Sequence, residues 1–367
     1  MAVVIFIIVL SVIVLFHELG HFLTAKKFGV KVEEFGIGYP PKIFGIKKND
    51  TTYSINWIPV GGFVKLKGEN GSEDEENDSF ASKSILRRIT ILSAGVIMNV
   101  VLAMIALGIG FGIGLPTVID ENVPYDSIRD KKIQIISVSD DSPAKSADLK
   151  LGDVILKIDD QTMETSEDVQ EYNKDRIGQT INLTISRYSE EKVIPITLED
   201  VDDSGAGKMG IGLVETALVS YPWYESIWLG MKSAIDMLVL IIVAFYTMIR
   251  DLIIGQPIAA EVSGPVGIAV LSGQMAKLGM AYLLNFVAIL SLNLAIINFL
   301  PIPALDGGRV VFLVIEKIRR KKINQRVEAM IHNVSFMIIM VLLVVVTFKD
   351  VSKFSDSIVK FFKSVMG

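Results

Sequence analysis

The chain has 367 residues, of which 51% are hydrophobic, and it carries a net charge of −5 and no cysteine. Its mean hydropathy of +0.49 is high for a protein whose whole surface faces water. The acidic balance argues against a nucleic-acid partner, and the missing cysteines exclude disulfides and cysteine-based zinc sites.

The apolar residues are gathered in runs near 1–16, 89–115, 237–249, 281–305 and 334–348. The length predicts two or three structural units. A first transmembrane helix is expected over 1–26, closed by Lys26 and Lys27. It lacks the basic start and small-residue cleavage site of a signal peptide. Residues 27–87 follow as a loop on the cytoplasmic side. Within it, alternation in "TTYSINWIPV" and "GGFVKLKG" predicts a β hairpin. The acidic stretch 68–79 reads as a solvated loop. A second transmembrane helix is expected over 88–116, with Asn99 inside it packing helices.

Residues 117–217 change character to that of a soluble domain. "SPAKSADL" opens with a Ser-Pro helix start and runs into "LGDVILKIDD", a turn followed by a strand. The combined pattern resembles a PDZ domain, a module that adds an extended peptide to a sheet edge. Next come 218–278, including "MLVLIIVAFYTMI". That apolar core is shorter than a typical span and is flanked by Lys232, Asp236, Arg250 and Asp251, so it is expected to lie at the membrane interface. A third transmembrane segment is expected over 279–306, a basic cytoplasmic loop over 307–330 and a fourth helix over 331–349. His332 opens that helix as an interfacial residue, and 350–367 reads as an amphipathic anchoring tail.

Charge sets the topology. Lys26, Lys27, Lys31, Lys42, Lys47 and Lys48 follow the first span, and Lys317, Arg319, Arg320, Lys321, Lys322 and Arg326 separate the third from the fourth. Short basic loops stay in the cytoplasm. Both clusters are internal if there are four spans, which leaves the PDZ-like domain and both termini outside.

The first span contains His17-Glu18-Leu19-Gly20-His21. On a helix, positions i and i+4 share a face, so both imidazoles reach one ion while Glu18 is turned ~100° away and free to handle a proton. A catalytic zinc site wants three protein ligands and an open position for water. Glu33 and Glu34 are near in sequence but lie beyond the expected helix end. Asp306, in "NFLPIPALDGGR", is the better third ligand, because the four-span topology brings it to the depth of His17. Pro301 and Pro303 stop the helix just before it, and irregular backbone inside a membrane belongs where it lines a wet cavity. Asn298 is a candidate for holding a substrate carbonyl, with helix capping as the alternative. Together with Asn293 it divides evenly between substrate contact and helix–helix hydrogen bonding.

HExxH in the first span, a PDZ-like insert and NxxPxPxxDG in the third together resemble the site-2 protease family, most nearly its bacterial regulator of sigma-E protease type, over essentially the whole chain. The resemblance implies a polytopic α-helical membrane protein with about four transmembrane helices, a membrane-associated β hairpin and an inserted PDZ (α+β) domain. It implies one zinc ion per chain on His17, His21 and Asp306, with Glu18 as the catalytic carboxylate. The hairpin edge at Gly62, Phe63 and Val64 is expected to receive substrate, beside Asn293, Asn298, Pro301 and Pro303. The implied partners are single-span membrane proteins, the lipid bilayer and peptide tails at the PDZ domain, in a bacterial inner membrane with the active site towards the cytoplasm. Two departures stand out. Some relatives carry tandem PDZ domains, and this chain has room for one. Where the family often has GPxxN in the second span, this sequence reads Gly95-Val96-Ile97-Met98-Asn99. The alternative function is a PDZ-containing membrane scaffold with a vestigial metal site.

Overall fold

The computed structural model describes residues 1–69, 76–118, 128–139, 141–187, 190–200, 207–255, 264–321 and 323–353. The chain divides into two compact units, one of 1–107, 230–275 and 284–367, the other of 108–229 and 276–283.

The first unit begins with α1 (Ala2–Lys27), in which no proline interrupts the apolar run and Lys26 and Lys27 occupy the last turn, where cations suit the helix dipole. The hairpin strands β1 (Val32–Lys48) and β2 (Thr51–Leu66) follow. Each strand folds over, so that Thr51–Asn56 lies between the two halves of β1, pairing with Lys42–Lys48 on one side and Glu34–Ile37 on the other. Gly62–Leu66 then pairs with Val32–Ile37 and forms an outer edge. No further strand joins this sheet among the described residues. The long helix α2 (Ile85–Ile113) comes next.

In the second unit, β3 (Leu115–Val118), β4 (Ile128–Val138), α3 (Pro143–Ser146), β5 (Val154–Ile158), β6 (Gln161–Thr162), α4 (Ser166–Lys174), β7 (Thr180–Arg187), β8 (Glu190–Thr197) and β9 (Ile211–Val219) form the PDZ domain. The sheet order is β3-β9-β4-β5-β7-β8, with β6 beside β5. Strand residues Ile133, Ile135, Ile155, Ile158, Ile181, Leu183 and Ile185 fill its core, alternating along β4 and β7 as a sheet with one buried face requires, with an irregularity in β5 between Ile155 and Lys157. Ser142 caps α3 by accepting from the Lys145 amide, with Pro143 in the first turn. Thr165 and Asp168 form a reciprocal capping box on α4. Asp153, which follows the turn glycine, is fully buried and takes two 2.7 Å bonds from the Arg187 guanidinium.

The chain continues with α5 (Trp223–Ile254), α6 (Pro265–Leu278), α7 (Met280–Phe299), α8 (Asp306–Arg319) and α9 (Gln325–Lys353). In the first unit, Ala25, Val30, Val32, Leu66, Phe80, Ile91, Leu92 and Leu313 form one buried cluster. It gathers the end of α1, the base of the hairpin, α2 and α8.

The protein is a multi-pass membrane protein. Five helices among the described residues are long and apolar enough to cross a bilayer: Ala2–Lys27, Ile85–Ile113, Trp223–Ile254, Met280–Phe299 and Arg326–Val351. The sequence reading expected four transmembrane helices and an interfacial helical region over 218–278, and the fifth long helix falls in that region. The stretch read as too short to span is part of a continuous 32-residue helix, because Lys232, Asp236, Arg250 and Asp251 sit within α5 and do not end it. A second difference concerns 307–330. Its first half is not a loop but helix α8, ended by Arg320 in the left-handed conformation. The basic residues there drew the sequence reading away from the apolar Val310, Val311, Leu313 and Val314 between them. Part of the acidic stretch is also tied down, since Lys67 bonds both Glu76 and Asp78; residues 70–75 and the tail beyond Lys353 lie outside the described residues.

Candidate metal centre

The two histidines of α1 lie on one face, one helical turn apart, with ring centroids 4.8 Å apart at 79°. Both are buried, at 6% and 7% exposure. Asp306 reaches them from the first turn of α8. His17 Nε2 is 2.9 Å from Asp306 Oδ2, His21 Nε2 is 3.4 Å from the same oxygen, and the two Nε2 atoms are 3.2 Å apart.

These spacings come within a few tenths of an ångström of those around one zinc ion. Tetrahedral ligands at ~2.0–2.2 Å from a metal stand ~3.3–3.6 Å from each other, so a small outward adjustment of the His17–Asp306 pair makes room for it. The protonation pattern points the same way. His21 Nδ1 lies 2.9 Å from the carbonyl of Ile91, an acceptor only, so Nδ1 carries the ring proton and donates it. With Nδ1 donating, Nε2 is the nitrogen left to ligate a cation held between the second imidazole and the carboxylate. Among the described residues this is the one cluster of three or more such side chains placed to hold a metal.

Glu18, the neighbouring residue on α1, has the backbone of Val64 close to its carboxylate. The outer strand Gly62–Leu66 therefore lies near the cluster. The same strand packs on α1 close by, with Gly61 against Val14 and Gly62 against Leu15. Phe63 stacks with Tyr39 at 6.3 Å.

The segment between α7 and α8 is irregular, as its prolines dictate. The Ile302 amide donates to the Leu300 carbonyl at 2.7 Å and the Leu305 amide to the Ile302 carbonyl at 2.9 Å. Asn298 lies next to Phe299, whose carbonyl Gly307 abuts. Asn293 is engaged elsewhere: its side-chain amide donates to the Ile289 carbonyl of its own helix at 2.9 Å. Glu33 and Glu34 do not join the cluster. Glu33 pairs with Lys65 at 2.7 Å and Glu34 with Lys42 at 2.9 Å, both on the hairpin.

Three residues at the site were not singled out for it by the sequence. Asn99 is fully buried, with its amide 3.4 Å from His17 Nδ1 and its carbonyl oxygen unpartnered. Gly95 lies against both imidazoles; a Cβ there would sit 2.5 Å from His21 Nε2 and 2.7 Å from His17 Cε1. Gly20 abuts the Ala94 carbonyl in the same way. These two glycines let α1 and α2 approach closely enough for the ligands to meet. The signal was the Gly95…Asn99 pair, which survives although the family's proline does not.

A long-helix membrane architecture, an inserted PDZ domain and a buried His-His-Asp cluster define an intramembrane zinc metalloprotease of the site-2 type. The chain belongs to peptidase family M50, whose model matches residues 5–342. A protein of Clostridium acetobutylicum is 35% identical over 95% of this chain and 97% of its own length. The regulator of sigma-W protease RasP of Bacillus subtilis is 31% identical over 96% of this chain and 98% of its own. Among solved structures, the PDZ domain of an SdrC-like protein of Listeria monocytogenes is 28% identical, covering 25% of this chain and 92% of that one with a TM-score of 0.21. The scaffold alternative is set aside, since the chain is an enzyme of this family with its cluster intact.

Proposed function

We propose that this protease cuts single-span membrane proteins within or near their transmembrane segments, in regulated intramembrane proteolysis, with one zinc ion per chain on His17, His21 and Asp306. The convergence of these three side chains, from positions up to 289 residues apart, carries the reading. Zinc held there would supply Lewis acidity and make a nucleophilic water available at neutral pH. Glu18 accepts the proton of the attacking water and delivers it to the leaving amine. Asn298 donates to the scissile carbonyl oxygen as charge builds on it.

A substrate helix hides its carbonyls in its own hydrogen bonds, so it must unwind before attack. Unwound backbone in a low-water environment needs other partners, and the outer edge of Gly62–Leu66 supplies them. Pro301 and Pro303 end α7 and leave irregular backbone just before Asp306. The PDZ domain screens the outer ends of substrates or holds their tails. The name of the Bacillus subtilis relative, a regulator of a sigma factor, supports a signalling role.

Four of the five long helices cross the bacterial inner membrane, with the PDZ domain outside and the active site towards the cytoplasm. Packing within the first unit supports this. His21 meets Ile91 and His17 meets Asn99, so α1 and α2 are antiparallel. Gly273 of α6 abuts Ala2, at the outer end of α1. The chain thus leaves α2 and reaches α6 on the same side, which requires an even number of crossings between them. A single passage of α5 breaks that parity. The test of the activity is a Glu18→Gln variant with a tagged model transmembrane substrate. Loss of cleavage with metal retained is expected, and persistent cleavage overturns the assignment.

A further inference from the structure

The chain has three histidines, and the third also reaches the zinc-site segment. His332, in the second turn of α9, has Nδ1 2.6 Å from the carbonyl oxygen of Pro303. A carbonyl only accepts, so the ring donates. We propose that His332 is a positioning residue for Asp306: its N–H fixes the Pro301–Leu305 turn and thereby the carboxylate three residues further on. The inference rests on the reading of Asp306 as a zinc ligand.

Three observations support it. The turn is short of internal ties, because Pro301 and Pro303 have no amide hydrogen to donate. The Leu300 and Ile302 carbonyls are taken by amides of the turn itself, whereas the Pro303 carbonyl takes its bond from another helix. Second, the far side of the turn is already fixed: a Cβ on Gly308 would collide with the Ile302 carbonyl, so the first turn of α8 presses directly on it. Movement of Pro303 is therefore passed on to Asp306 and not absorbed. Third, no residue in the apolar window of α9 is buried. Apolar contact between helices gives little net attraction in lipid, and polar ties locate a helix there instead. Helix α9 has one such tie near each end, His332 to Pro303 and Asp350 to the Gly267 amide at 2.8 Å.

The two ties give the experiment its control. The full-length protein in lipid nanodiscs is loaded with zinc, and its affinity is measured by competition with a chelator. The cobalt-substituted form reports ligand geometry through its visible spectrum. His332→Ala is expected to weaken zinc binding ~10–100-fold, the usual cost of removing a group that orients a ligand, and to shift the cobalt bands. His332→Gln, whose side-chain amide can donate to the same carbonyl, recovers most of the affinity. Asp350→Ala, which cuts only the distant tie, leaves affinity and spectrum unchanged. The proposal is overturned if His332→Ala binds zinc normally, if Gln fails to rescue, or if Asp350→Ala weakens binding as much. Asp306→Asn separates this from the underlying reading: if that variant keeps full zinc affinity, the ligand assignment has failed and not the role of His332 alone.

Discussion

His17 Nε2 and Asp306 Oδ2 stand 2.9 Å apart although 289 residues separate them. His17 is buried and the Asp306 side chain keeps 22% of its exposure. Bringing a carboxylate to two imidazoles in such a place is costly without a cation. Replacing any one of the three by a residue without a ligand atom, His17→Ala for example, is therefore expected to remove zinc from the purified protein, as read by elemental analysis. Glu18→Gln is expected to retain near-stoichiometric zinc while cleavage falls by at least ~100-fold. Equal metal loss in both variants would mean that Glu18 is a ligand and not a base.

Gly95→Ala adds one methyl group where the structure leaves no room, 2.5 Å from His21 Nε2. Neither imidazole can retreat while its second nitrogen is held by α2. The expected result is a displacement of the ligands by a few tenths of an ångström or more and a fall in kcat of ~10–100-fold, since small misplacements of reacting groups carry large rate penalties. Helix content by circular dichroism should be unchanged. A fully active Gly95→Ala variant would refute the close packing of α1 on α2.

Asn99 faces the nitrogen of His17 that does not point at Asp306. With Nε2 directed at the metal, Nδ1 carries the proton, so the oxygen of the Asn99 amide is the group that suits it; turning the amide over gives that unpartnered oxygen a donor. Asn99→Leu is expected to weaken zinc binding ~10-fold or more, and Asn99→Asp, which keeps the acceptor, to weaken it less. Chelator competition orders the three proteins; the reverse order would contradict this role.

The natural chain has no cysteine, so single introduced thiols report topology without background. Lys192→Cys in the PDZ domain and Ile254→Cys at the end of α5 should both react with a membrane-impermeant maleimide on intact spheroplasts. Lys47→Cys in β1 should react only after the membrane is opened. Labelling of Ile254→Cys that depends on permeabilisation would establish a full crossing by α5.

In the PDZ domain, Asp159 accepts from the Asn182 amide and the Tyr172 hydroxyl at 2.8 Å each. These bonds hold its pKa below the ordinary 3.8. A carboxyl whose pKa is depressed by folding contributes stability that is fully present above its unfolded pKa and is lost as pH falls through the folded one. Asp159→Asn should therefore lower domain stability at neutral pH and flatten its decline below about pH 4, followed by amide exchange of the β7 strand. An unchanged acid profile would show that the two bonds add nothing.

The parts of this protein that obey local rules were legible without coordinates. Apolar runs marked all five of its long helices, HExxH fixed two imidazoles on one face by helical period alone, and the Ser-Pro and Gly-Asp turns of "SPAKSADLKLGD" carried the PDZ fold. Composition and conformation part where charge interrupts an apolar run. Lys232 and Asp236 shorten the apolar core, yet a helix surface tolerates them, so α5 runs on for 32 residues. The basic residues of α8 hid an amphipathic helix. Which residue meets His17 and His21 is a question of distance, and sequence answers it only through topology: basic loops put Asp306 at the right depth, while packing put it 2.9 Å away and left Glu33 and Glu34 paired with lysines. The close approach of α1 and α2 at Gly20 and Gly95, the amide of Asn99 beside His17, and the tie from His332 to Pro303 were decided by tertiary structure alone. A glycine, an asparagine and an interfacial histidine carry no local signal of what they touch. Their meaning comes from which backbone lies against them once the helices pack.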